Sequence, residues 1–263
     1  WYVDLYKRWG VDGVKEDTMM NVGSDHLEIF NAPIARLAKE EALVMARCGS
    51  FSAPGTLLRI NDTKVDDMRL RTPVNYWHYA ASGAPNVYSD TVGFGKMQSY
   101  TDGAVRHGWL MSMTAGLAVG ELPRDWTEKQ KYLFKKPFDF HYQIGPYLYD
   151  AAVTSYQTGY PHTLTPLGIA YPQDAKAADP EHYQWMAGES LLCAPLVKNH
   201  ERGVMDLYLP EGPWFDYDTG EKYQGPKLLK DFAMPRDKAA MLPEVPNRMR
   251  RFSNMAVCIP PGR

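Results

Sequence analysis

Cysteine is scarce: Cys48, Cys193 and Cys258 lie far apart in the 263-residue chain and form no CxxC pair. Neither a zinc site of paired cysteines nor a disulfide framework is expected, and the redox compartment is left open. Neither sign of charge dominates, with 29 Lys and Arg against 31 Asp and Glu, so nothing points to nucleic acid or to an anionic membrane surface as partner. No apolar run approaches the roughly 20 residues of a membrane-spanning helix. Seven histidines are scattered without HExxH or another ligand spacing, so no metal is expected. A GxGxxG turn after a strand, a GxxxxGK(S/T) loop and a GxSxG elbow are all missing, which leaves dinucleotides, nucleoside triphosphates and serine acyl transfer unsupported. No cofactor is expected. There is no internal repeat and no low-complexity segment. The chain opens on Trp1, in the middle of a pattern, and reads as a fragment, so the lack of a leader carries no information.

Aromatic residues are plentiful, at 13% with seven Trp and seventeen Tyr. They suit stacking on the flat faces of sugar rings, although filling a core is their commoner use. The stretch WGVDGVKED reads as a short strand, with Gly13, Lys15 and Asp17 on one side and Val14 and Glu16 on the other. Asn31 offers a helix cap and Pro33 a first-turn proline. A helix over IARLAKEEA then places Ile34, Leu37 and Ala38 on one face. LVMARCG follows as an apolar strand, completing a parallel βαβ unit. Further on, Pro73 is placed to open a helix, APNVYSD is a short strand ending in Asp90, and AVRHGWLMSMTAGLAVG reads as helix into strand. A long aromatic helix from YLFKKP stops near Gly159. After about residue 180 apolar and polar residues alternate, with hairpin signals at Glu211-Gly212 and Thr219-Gly220. The chain reads α/β first and all-β later.

Three carboxylates stand at strand ends: Asp17, Asp62 and Asp90. At the carboxyl ends of parallel barrel strands such acids face one mouth, where two of them can divide glycoside hydrolysis between nucleophile and acid/base. Strand-end aspartates are also ordinary helix caps, and the residues alone leave both readings open.

Several segments in series resemble family 31 of the glycoside hydrolases, the α-glucosidase and α-xylosidase family. WGVDGVKED is similar to that family's nucleophile strand, and ARCGSFSAPGTLLRIND to the segment closing on its acid/base Asp. ASGAPNVYSDTVGF resembles its HDIGGF segment. PHTLTPLGIAYPQD, QWMAGESLLCAPLV and DLYLPEGPWFDYDTGEKYQG resemble the end of the barrel and the strands beyond it, and MRRFSNMAVCIPPG loosely matches a later strand. The resemblance implies the C-terminal part of a (β/α)8 TIM barrel, from about its fourth strand, over residues 1–178. Barrel exit and an all-β domain would then occupy residues 179–263. It implies Asp17 as nucleophile, with Glu16 turned away, and Asp62 as acid/base. Arg47 would hold the sugar and Asp90 would line the pocket. Lys15 and Arg47 would help keep nearby carboxylates ionised. Where the family has aromatic-Gly-Asp before the acid/base, this chain has Arg59-Ile60-Asn61-Asp62, so Arg59 offers the substrate a cation in place of a stacking ring. The family's later Arg-Asn-His segment falls near MTAGLAVGE, which has no His.

The expected activity is retaining hydrolysis of a terminal α-glycoside, with an unusual sugar as substrate and this stretch of chain inactive in isolation. A catalytically decayed carbohydrate-binding barrel and a related α-glucan lyase are the alternatives. The expected partner is an oligosaccharide or glycoside, with no nucleic acid and no membrane; compartment and oligomeric state are left open. Asn61-Asp62-Thr63 is also an N-glycosylation sequon, and a glycan there would block the pocket that Asp62 serves. Asn61 is expected to stay unmodified in a glycosylating host, and peptide mass spectrometry of active enzyme checks this.

Overall fold

The computed structural model describes residues 1–16, 36, 43–46, 57–60, 71–89, 102–117, 125–179, 181, 183–195, 204–217, 219–233 and 250–254. After helix α1 (Tyr2–Trp9), four short strands, β1 (Gly13–Glu16), β2 (Leu43–Ala46), β3 (Leu57–Arg59) and β4 (Val87–Tyr88), form a parallel sheet in chain order. Sequential parallel neighbours require crossovers, and the strand positions predicted for GVKE, LVMA and NVY all fall in this sheet. The crossover predicted over IARLAKEEA lies outside the described residues except for Arg36, which is helical and pairs with Asp4. Helix α2 (Arg71–Ala81) connects β3 to β4, with Pro73 in its first turn as expected. Beyond helix α3 (Asp102–Met111), Ala115 N–H donates to Val87 O at 3.2 Å, so the chain runs on beside β4.

The register sorts the strand side chains into two rows. Val44, Ala46, Leu58 and Val87 share one face and are at most 5% exposed. Lys15, Met45, Leu57, Arg59 and Tyr88 share the other. Glu16 is in register with Ala46 of the first row, and Arg59 and Tyr88 of the second row are themselves at most 5% exposed. Close pairing explains Gly13: a Cβ there would lie 3.0 Å from Leu43 O.

The long helix α4 (Glu128–Thr158) begins with a capping box, in which Thr127 Oγ1 accepts from Gln130 N–H and Gln130 Oε1 accepts from Thr127 N–H. It stops at Gly159, as its sequence predicts. Pro137 and Pro146 lie inside it. Pro137 is buried against α3 at Gly108, where a Cβ would come within 3.0 Å of its ring. Trp109 and Phe140 also pack across these two helices.

The second sheet is antiparallel, in the order β5-β6-β7-β10-β8-β9. Its strands are β5 (Thr165–Pro166), β6 (Trp185–Ala187), β7 (Leu191–Ala194), β8 (Val204–Asp216), β9 (Lys222–Ala233) and β10 (Arg250–Asn254), with the single-turn helix α5 (Leu167–Ala170) after β5. The β8–β9 hairpin turns near Thr219-Gly220, where Asp216 N–H donates to Glu221 O. The turn expected at Glu211-Gly212 does not occur. β8 passes straight through it with a register irregularity between Leu209 and Gly212, and Gly212, at φ 119°, absorbs the kink without reversing the chain. Leu192, Leu207, Leu209 and Trp214 fill this sheet's own core. Gln184 completes it from the side: its amide donates to Tyr208 O and accepts from Tyr208 N–H, both bonds buried.

Tyr147 of α4 ties the helical layer to the second sheet. Its hydroxyl donates to Ala187 O and accepts from Ser190 N–H, each at 2.8 Å. Gly188, at φ 61°, lies against that hydroxyl, and any Cβ would collide with it. Tyr147→Phe leaves two backbone groups unsatisfied and is expected to cost about 1–3 kcal/mol, lowering Tm by several degrees. Gly188→Ala, combining a collision with backbone strain, is expected to cost at least as much in the same thermal unfolding measurement.

Candidate active site

Of the six candidate site residues, Lys15 and Arg59 are described and share one row of the parallel sheet. Asp17, Arg47, Asp62 and Asp90 lie outside the described residues. In the sequence, Asp17, Arg47 and Asp90 each stand two positions after a member of that row: Lys15, Met45 and Tyr88 respectively. Lys15 is exposed, whereas Arg59, the last residue of β3, is 5% exposed beside Tyr88. Tyr88 Oη reaches across β3 to Met45 Sδ at 2.6 Å.

A polar cluster that sequence reasoning missed closes the end of β4. Ser89, His107 and Tyr76 are each fully buried. Ser89 Oγ lies 2.7 Å from His107 Nε2 of α3, and Ser89 N–H donates to Tyr76 Oη of α2 at 3.1 Å. His107 Nδ1 is buried without a hydrogen-bond partner. Burial alone lowers the His107 pKa to about 4, so the ring is neutral near pH 7. Burial likewise raises Tyr76 far above the ordinary phenol range, against the opposing pull of its bond with Ser89. The two partners of Ser89 lie 13 and 18 residues from it, and no local spacing joins them. The only sequence signal was a serine beside a strand-end aspartate.

Among the described residues no group of three or more His, Cys, Asp or Glu could hold a metal ion, and no helix is long and apolar enough to cross a membrane. A cleft of about 670 Å³ lies between residues 170–176, β8 and Pro226, and neither Lys15 nor Arg59 lines it.

Residues 159–246 match the glycosyl hydrolase family 31 C-terminal domain. A 1,6-alpha-glucosyltransferase of Sporosarcina globispora is 32% identical over 120 residues, covering 41% of this chain and 9% of that protein. The sulfoquinovosidase of Escherichia coli K12 is 38% identical over 84 residues, covering 31% of this chain and 12% of that protein. A family 31 sulfoquinovosidase from E. rectale, solved with an aza-sugar inhibitor, superimposes with a TM-score of 0.74 at 19% identity over 98% of this chain and 42% of that one. The family 31 dextranase of Flavobacterium johnsoniae, solved with isomaltotriose, gives 0.75 at 19% identity over 96% of this chain and 36% of that one. Residues 159–246 thus match a family 31 domain, and the chain as a whole is similar in fold to family 31 enzymes. At these identities the superpositions establish the fold, and the chain spans less than half of each of these four proteins. Its α/β part followed by an antiparallel β part is the family 31 arrangement the sequence resemblance implied.

The buried imidazole has a consequence for stability. Its pKa is lower in the folded chain than the ordinary 6.5, so the unfolded chain binds the extra proton between those values. Stability is therefore complete above about pH 6.5 and lost as pH falls toward 4, by up to about 3 kcal/mol from this group. Tm measured from pH 7 to pH 4.5 is expected to fall, and His107→Gln is expected to flatten that slope.

Proposed function

We propose that this chain is part of a retaining α-glycosidase of family 31, with Asp17 as nucleophile and Asp62 as general acid/base. The observation that carries the reading is the row Lys15, Met45, Arg59 and Tyr88, which brings two of the candidate residues to one face of a four-stranded parallel sheet. In a barrel the inward row is packed by side chains, and the C-terminal strand ends beyond it form the site. Residues 1–178 then make the later part of that barrel, and residues 179–263 its exit and the following β-domain.

In this mechanism the ionised Asp17 attacks the anomeric carbon while the glycosidic C–O bond breaks. Asp62 gives its proton to the departing oxygen. Asp62 then takes a proton from water, whose oxygen attacks the same carbon, and the freed sugar leaves Asp17 a carboxylate again. Lys15, Arg47, Arg59 and Asp90 orient the sugar. The relatives' names include α-glucosidases, a sulfoquinovosidase and glucosyltransferases, so the substrate class is an α-linked glycoside. Arg59, in place of the family's stacking ring, favours a sugar with a group that a cation can bind. The two transferases favour one further reading, in which a sugar hydroxyl replaces water in the second step. Products formed with and without added maltose separate the two.

Asp17→Asn in the full-length protein is expected to lower kcat/KM at least about a thousandfold, the scale on which loss of a nucleophile acts, with Tm within a few degrees of the parent. Glu16→Gln is expected to retain most activity. The reverse pattern, with Glu16→Gln inactive and Asp17→Asn active, would move the nucleophile by one residue and overturn the assignment.

A further inference from the structure

We propose that His107 and Tyr76 are positioning residues that grip Ser89 and thereby fix the carboxyl end of β4, from which Asp90 directly follows; this rests on the glycosidase reading above. β4 has two ladder residues, Val87 and Tyr88, and Ile60, just after β3, donates its N–H to Tyr88 O at 3.1 Å. A strand this short does not hold its end by backbone pairing alone. At Ser89 the chain is held by two side-chain groups. Tyr76 Oη takes the Ser89 N–H, and His107 Nε2 meets Ser89 Oγ. Two helices, α2 and α3, thus clamp one residue through its backbone and its side chain.

The direction of the clamp matters. Tyr88 lies in one row with Arg59 and Lys15, whereas Ser89 reaches the helices. Locking Ser89 on the helix side sets the strand's alternation at its last step. A packing role alone would not call for a histidine. A buried imidazole whose second nitrogen has no partner costs about 1–3 kcal/mol, and a leucine or phenylalanine would fill the same space without that cost. What the imidazole supplies is the one bond to Ser89. Displacement of a substrate-orienting group by about 1 Å costs on the order of 100-fold in rate, so a clamp one residue away acts on turnover without touching the sugar.

The test uses the full-length protein and p-nitrophenyl α-glucoside, α-xyloside and α-sulfoquinovoside, with kcat, KM and Tm for Ser89→Ala, Tyr76→Phe, His107→Leu, His107→Gln, Asp90→Asn and the double variant Asp90→Asn/His107→Leu. Ser89→Ala and His107→Leu are expected to lower kcat/KM about 10- to 100-fold, chiefly through KM. His107→Gln, which keeps a hydrogen-bonding group, is expected to recover most of that loss. In the Asp90→Asn background His107→Leu is expected to add less than about threefold, because the clamp acts through Asp90. Should His107→Leu fail to fold, Ser89→Ala combined with Asp90→Asn makes the same cycle. Multiplying losses in the double variant, or full activity in folded Ser89→Ala and His107→Leu, overturns the clamp while leaving the glycosidase reading intact. A parent protein inactive on all three substrates overturns both.

Discussion

The parallel register of β1 to β4 is the constraint on which the candidate site depends. Parallel strands in register place every second residue of each strand in a common row, so sealing one row fixes what the other can hold. Val44, Ala46, Leu58 and Val87 form the sealed row. Lys15, Arg59 and Tyr88 stand in the other, while Glu16 is in register with Ala46. Gly13 is part of the same constraint, since β1 approaches Leu43 too closely for a side chain.

The helices hold this sheet through a few specific contacts. Gly108 and Pro137 let α3 and α4 approach closely, and the proline, which breaks helix hydrogen bonding, is tolerated where it fills that contact. α3 also carries His107, so the same packing that seats α4 sets the distance to Ser89. Tyr147 then links α4 to the β6–β7 turn, and Gln184 links the start of β6 to β8. One path from the β-rich part to the end of β4 runs through the long helix and the buried histidine, and Tyr76, packed edge-on against Trp185 of β6, makes another.

Periodicity and punctuation made much of this legible. The strands at GVKE and LVMA, the helix opened by Pro73, the stop at Gly159 and the turn at Thr219-Gly220 each follow from a local rule that the tertiary structure leaves in force. Glu211-Gly212 misled because a glycine at φ 119° serves a strand irregularity as well as a turn, and only the partner strand β9 decides which. Lys15 and Arg59 were candidates through their places beside the acids that the family resemblance implies, and the register brings them to one face. The Ser89 cluster was not legible. Its members have no common spacing, and a neutral buried histidine looks in sequence like any other.

Arg59 bears on how the two proposed catalytic acids divide their work. At 5% exposure Arg59 has exchanged water for protein. A buried cation is tolerated only with hydrogen-bonding or anionic partners, and a carboxylate that serves as such a partner is held in its ionised form. That suits a nucleophile, which must attack as the anion, and opposes a general acid, which must keep its proton until the leaving group departs. Asp62 stands three positions after Arg59 and Asp17 two after Lys15. For Asp62 to act as the acid, the charge of Arg59 must be met by other groups or by the substrate.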